Sequence, residues 1–477
     1  MIASNDLQNH HLLWRSGFGP KADELKNLES ASTKQLFKKI NAASALEPTS
    51  LSLPQSDFSL INAVKKDYRS YAALSKEKKL MILKESRDGI KKLNLLWLDE
   101  MTNSQAQLRE KMAFFWHGHF ASREINIIHQ QQLLEIIRRD GLSDFGTLLR
   151  GVSKSASMLA FLNNQQNRKS HPNENFAREV MELFTLGRGN YTEQDVKEAA
   201  RAFTGWGFQP DGDFIFRRIF HDTGIKTIFG KSGNYSGDDV INMLLEKKET
   251  AFFITKKILQ NFVNDNVTSA EVNRFADSFY QSGYKINTLM EDIFTSSWFY
   301  EKKNIGVKIK SPIELIVGIR RFLPMQFEKQ DVQLLYQRLL GQVLFYPPNV
   351  AGWPGGKSWI DSSTLMYRLK IPRMLHDNSD DAIAAKQDDD VMMGQMENTK
   401  KRNAGGKVNV TIDWKSIFAR FEKTSRPNLS ESMIKEVLLS SNTDISKVMA
   451  FADNTSRESF IQTGIIQLMS TPEYQMM

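Results

Sequence analysis

Residues 163–206 read NNQQNRKSHPNENFAREVMELFTLGRGNYTEQDVKEAARAFTGW. Pro172 and the polar Asn173 favour a helix start and Gly187 favours a stop, so the spacing predicts a helix over 173–186. At about 100° per residue, Glu174, Asn175, Arg178, Glu179 and Glu182 share one arc of roughly 140°. Phe176, Val180, Leu183 and Phe184 cover the other side. One helix therefore offers an apolar face to a core and a carboxylate–guanidinium face to something polar. A second helix follows. Thr192 and Asp195 have the spacing of a capping box, with Asp in place of Glu or Gln, and this helix carries Arg201 toward Thr204-Gly205-Trp206. A charged face of this kind is commonly a solvated set of ion pairs. The Asn- and Gln-rich flanks, with His171 just upstream, add the hydrogen-bonding groups of a polar pocket.

On both sides of this stretch the periodicity stays helical. Helices are predicted over 5–16, 21–29, 32–41, 60–102, 104–117, 125–139 and 143–162 upstream, with a loop over 46–60. Downstream they are predicted over 238–247, 250–263, 269–281, 285–297, 311–323 and 331–340. Residues 207–236 break the pattern. Their Gly and Asp content and the alternation DFIFRRIF predict a small β or irregular lobe. Phe345–Lys357, FYPPNVAGWPGGK, is a Pro/Gly/Trp-rich loop expected to pack tightly on the body. Residues 376–408 carry an acidic block before a basic one and read as a disordered insertion. Residues 409–477 read as a helical C-terminal subdomain. The fold class is mainly α, a large multi-helix globular body with one β/irregular lobe.

Composition narrows the chemistry. The 477 residues contain no cysteine, which removes disulfides, thiolate nucleophiles and Cys-based metal sites. That absence suits the cytoplasm and the periplasm equally. The net charge of +8 comes from signs interleaved along helices, which argues against a nucleic-acid stripe. No apolar run reaches the length of a membrane span, and MIASNDLQNHHLLW does not read as a signal peptide. No Gly-x-Ser-x-Gly elbow or nucleotide-binding glycine loop appears.

Among the eight histidines, His117 and His119 in Trp116-His117-Gly118-His119-Phe120 are the leading metal candidates. Residues two apart face one side of an extended backbone, whereas on a continuous helix they point about 200° apart. The expectation therefore depends on Gly118 ending the helix. With Glu174, Glu179 or Glu182 they would hold a divalent transition metal such as zinc, iron or manganese. Against this, Arg178 in the same arc suits an anion clamp better than a metal's neighbourhood. His221-Asp222 is a second acid–base candidate, and Trp353 offers a flat ring for stacking.

The run NENFAREVMELFTLGRGNYTEQDVKEAARAFTGW closely resembles the signature of the domain of unknown function 1800 family of bacterial proteins. HLLWRSGFGP (His11–Pro20), KMAFFWHGHF (Lys111–Phe120), HDTGIKTIFG (His221–Gly230) and LFYPPNVAGWPGGKSWI (Leu344–Ile360) extend the resemblance in the family's order. It implies one family-wide domain over residues 1–375 and carries no established activity. Many relatives have His where this chain has Phe184.

Two functions fit these residues. The first is a metal-dependent hydrolase with Glu179, Glu182, His221 and Asp222 as catalytic groups. In it Asn173, Asn175, Arg178, Arg201 and Trp353 hold substrate, and His117, His119 and Glu174 hold the metal. The second is a non-catalytic envelope-associated binding or assembly protein that contacts an envelope protein or a polysaccharide.

Overall fold

Ser, Thr, Asp or Asn stands at the N-cap of most helices, and several of these caps are reciprocal capping boxes, as at Ser32, Thr192, Ser236, Thr268 and Ser311. A computed structural model describes residues 4–21, 24, 31–54, 60–61, 73–379, 409–439 and 445–477. The first half contains α1 (Asn5–Ser16), α2 (Thr33–Ser44), α3 (Lys76–Asn103), α4 (Gln107–His119), α5 (Ile127–Asp140), α6 (Phe145–Lys154), α7 (Ala156–Phe161), α8 (Glu174–Glu182) and α9 (Glu193–Ala202). Four short strands follow, β1 (Trp206–Phe208), β2 (Phe214–Phe216), β3 (Lys226–Ile228) and β4 (Lys231–Gly233). Then come α10 (Gly237–Glu246), α11 (Lys248–Phe262), α12 (Ser269–Gln281), α13 (Ile286–Thr295), α14 (Pro312–Phe322), β5 (Met325–Phe327), α15 (Val332–Leu340) and α16 (Ser362–Asp377). The chain closes with β6 (Val410–Ile412), α17 (Trp414–Phe421), α18 (Leu429–Val437), α19 (Ile445–Met449) and α20 (Arg457–Met469). The protein is mainly α-helical.

The 207–236 lobe is two antiparallel hairpins, β1 with β2 (Trp206 opposite Phe216) and β3 with β4 (Lys226 opposite Gly233). Most of the helix predicted over 21–29, and the insertion read over 376–408 apart from 376–379, lie outside the described residues.

Buried ion pairs fix α4 in the core. Glu110, fully buried, accepts from Arg138 of α5 at 2.9 and 3.0 Å and from the Trp97 indole of α3 at 3.0 Å. One residue on, Lys111 reaches Glu314 of α14 at 2.5 Å. Breaking one such pair strands a charge in low dielectric, at a cost of about 3–5 kcal/mol. The C-terminal segment is tied to the same body. Strand β6 pairs with β5, and Lys308 and Met477 exchange backbone hydrogen bonds at 3.1 and 2.7 Å. Arg15 of α1 donates to the Met477 carbonyl at 2.7 Å.

Four predicted helices are corrected. Residues 62–72 of the one over 60–102 lie outside the described residues, and its long helix is Lys76–Asn103. The one over 143–162 breaks at Ser155 into α6 and α7, and two others change at their ends. The helix over 173–186 ends at Glu182, because Thr185 Oγ1 turns back onto the Val180 carbonyl at 2.6 Å. Phe184 and Leu186 N–H groups bond five residues back, to Glu179 and Met181, which widens the last turn. The helix over 104–117 begins at Gln107 and runs through Gly118 to His119.

Candidate functional site

The amides flanking α8 form a stitched network. Asn167 donates to Asn164 Oδ1 (3.1 Å) and the Ala200 carbonyl (2.8 Å), and accepts from the Asn173 N–H (2.9 Å). Asn175 donates its side-chain amide to the Leu162 carbonyl at 3.2 Å, and its backbone N–H is capped by Asn173 at 3.0 Å. These bonds lock the 163–173 turn against the end of α9 and aim the α8 charged face outward.

On that face Arg178 makes a bidentate pair with Glu193 of α9 (2.7 and 2.8 Å) and also reaches Glu174 (3.1 Å). Glu182 accepts from Tyr191 and Arg188, both at 2.6 Å, and these hydrogen bonds hold its carboxyl below the usual range. The arc foreseen from helical spacing thus exists, and the next helix and loop supply its partners. Glu179 differs. No hydrogen bond reaches its carboxylate from the described residues, and burial, then the nearby Glu182, pushes its pKa up.

His221 and Asp222 are adjacent but diverge. The His221 Nδ1–H donates to the Thr204 carbonyl at 3.0 Å. Asp222 accepts from Arg201 Nε (2.7 Å) and Nη2 (3.2 Å), and that pairing lowers its pKa. Arg201 also donates to Glu198 and the Ile225 carbonyl, so it pins the β3–β4 hairpin to α9. The pair is therefore not an imidazole with its orienting carboxylate.

His117 and His119 lie on one continuous helix and face different elements. His117 Nε2 accepts the Phe345 backbone N–H at 3.1 Å, so its proton sits on Nδ1. His119 Nε2 donates to the Phe184 carbonyl at 3.2 Å, which leaves Nδ1 a buried acceptor without a partner among the described residues. Aromatic rings of Phe115, Trp116, Phe120 and Phe184 surround it. Burial lowers the His117 pKa to about 3; burial, then Lys257, lowers that of His119 well below the usual imidazole value. Both imidazoles are neutral hydrogen-bonding groups at helix α4's end, in opposite tautomers. Among the described residues no three His, Asp or Glu side chains gather as metal ligands. The pairing of His117 and His119 with Glu174 is not formed, because α4 does not break at Gly118.

Trp353 packs 5.5 Å from the His117 ring, in a loop fixed by that imidazole. Gly352 sits at φ +79°, where a Cβ would strike the Gly118 carbonyl, so the loop lies directly on the end of α4.

Sequence reasoning missed one concavity. A groove of about 1090 Å³ runs between the end of α3, the α14–β5 connection and β6–α17. Its cations are Lys21, Arg320, Arg321, Lys415 and Arg420, with Trp414 on one wall and Asp413 as its one lining carboxylate among the described residues. Asp99 pairs with Arg320 (2.5 Å), Glu24 with Arg321 (3.1 Å) and Glu436 with Arg420. Nε and Nη1 of Arg320 are buried and unmatched within the described residues. Asn103, Gln326, Thr411 and Ser416 add neutral hydrogen-bonding groups. The one local signal was the Arg320–Arg321 doublet at a helix end followed by Pro324.

The fold and this geometry define a mainly α-helical protein with small antiparallel hairpins and a basic surface groove. The family model described as Protein of unknown function (DUF1800) matches residues 11–476, nearly the whole chain, and the protein belongs to that family. No curated protein and no solved structure matches it. Among the described residues no helix is long and apolar enough to cross a membrane.

Proposed function

We propose that the protein is a non-catalytic, envelope-associated binding protein whose groove takes an acidic polysaccharide. The lining of the groove carries the reading: a cationic wall whose exposed member is Lys415, a tryptophan face and a set of amides and hydroxyls in one open cleft. The exposed Lys415 ammonium meets a sugar carboxylate, and the buried side chains of Arg320, Arg321 and Arg420, paired with Asp99, Glu24 and Glu436, hold the wall that presents it. An indole covers the apolar face of a pyranose, while Asn, Gln, Ser and Thr match its hydroxyls. An open cleft admits the middle of a polymer.

Affinity electrophoresis tests it. Migration of the intact protein in native gels containing polygalacturonate is expected to be retarded, with dextran gels leaving it unchanged, and retardation is expected to fall as salt rises. Equal mobility in both gels at low salt would reject the proposal.

One observation favours a second reading, an acid–base hydrolase without the His117–His119 metal. On an otherwise paired face the half-buried Glu179 has its pKa raised by burial and then by Glu182, the direction that favours the protonated form of a general acid. In that case Glu179→Gln abolishes turnover of a glycoside or ester substrate and leaves the fold intact. Unchanged turnover in that variant would remove Glu179 from any chemistry.

A further inference from the structure

Large apolar side chains are solvent-exposed at three positions in one ten-residue stretch of the β lobe: Phe216 (38 %), Ile219 (73 %) and Ile225 (65 %). They are held there by the fold. Phe216 closes β2 with its ring 5.1 Å from His221, and Ile219 lies in the turn Arg218–Phe220. Ile225 projects where Arg201 grips its carbonyl at 3.1 Å. The turn is braced by the Lys169 N–H on the Phe220 carbonyl (2.9 Å) and by the Arg168 guanidinium 4.3 Å over the Phe220 ring. The tip cannot fold its apolar residues inward without losing these ties.

Cations ring the tip. Arg168, Lys169 and Arg218 are exposed, and Arg217 is half-buried with Nη2 on the Phe208 carbonyl. Among the described residues the nearby acids are Asp222 and Glu198, both held by Arg201, and Asp211 and Asp213 at the β1–β2 turn.

We propose that this tip docks on an anionic lipid surface, with Phe216, Ile219 and Ile225 entering the interface and Arg168, Lys169 and Arg218 meeting the headgroups. Exposed apolar side chains backed by arginine and lysine match a surface that is anionic at its rim and apolar beneath. A symmetric contact with a second copy would instead set these cations against themselves. The proposal is independent of the polysaccharide groove, whose residues lie in other segments.

Flotation of the intact protein with vesicles tests it. Recovery with phosphatidylglycerol/phosphatidylcholine vesicles is expected to exceed that with pure phosphatidylcholine and to fall as salt rises. Ile219→Ser/Ile225→Ser is expected to lower the partition by about tenfold or more, because most of the inserted apolar area is gone. Arg218→Gln is expected to weaken only the salt-sensitive part. Both variants alter exposed side chains, so an unchanged melting temperature serves as the folding control. No flotation with anionic vesicles, equal flotation of wild type and double variant, or a concentration-dependent dimer lost in the double variant would each overturn it.

Discussion

The imidazole of His117 accepts the backbone N–H of Phe345 at 3.1 Å and thereby ties the aromatic loop to the end of helix α4, 228 residues away in sequence. That acceptor role requires a neutral ring. Burial lowers its pKa from 6.5 to about 3, so the unfolded chain takes up a proton before the native one does. Stability from this group is therefore complete above about pH 6.5 and is lost as pH falls toward 3, by on the order of 4–5 kcal/mol at the acid end. Urea unfolding at pH 7, 5 and 4 is expected to show this decline, and His117→Gln is expected to flatten it. An identical pH slope in the variant would remove His117 from the account.

Exposed and buried ion pairs should separate clearly. Arg178 pairs with Glu174 and Glu193 on a solvated face, so Arg178→Ala is expected to cost less than about 1 kcal/mol. Arg138→Met leaves the fully buried Glu110 with the 3.3 Å Arg109 contact and the Trp97 indole in place of its bidentate partner, and is expected to cost about 3 kcal/mol. Chemical denaturation of the two variants side by side measures the contrast, and similar costs would contradict it.

Gly352 takes a left-handed conformation with its α-carbon against the Gly118 carbonyl. Gly352→Ala is expected to destabilise by about 1–3 kcal/mol through backbone strain and the clash. Because it loosens the contact that His117 also holds, the double variant with His117→Gln should cost less than the sum of the two. Strict additivity would mean that loop and helix end are not coupled.

Local chemistry was legible in the sequence wherever a few adjacent residues decide the outcome. The Asn173 cap, the Thr192–Asp195 capping box and the charged arc of α8 all formed where spacing put them. The end of α8 was not legible, since it depends on a Thr185 hydroxyl folding back on its own helix. His117-Gly118-His119 was ambiguous because a helix interior tolerates one glycine for about 1 kcal/mol, and the packing of α4 on its neighbours decided the matter. The partners of its two imidazoles, Phe345 and Phe184, lie in distant segments. The groove was least legible of all. Lys21, Arg320 and Lys415 belong to stretches far apart in the chain, each with acids close by in sequence.

Titration calorimetry with an oligogalacturonate tests the groove most directly, comparing the intact protein with Lys415→Glu and Trp414→Ala. Saturable binding that weakens about tenfold in Lys415→Glu, where one lining cation becomes an anion, and also in Trp414→Ala is the predicted result. No heat of binding, or equal affinity in all three proteins, would contradict the assignment of this groove to an acidic polysaccharide.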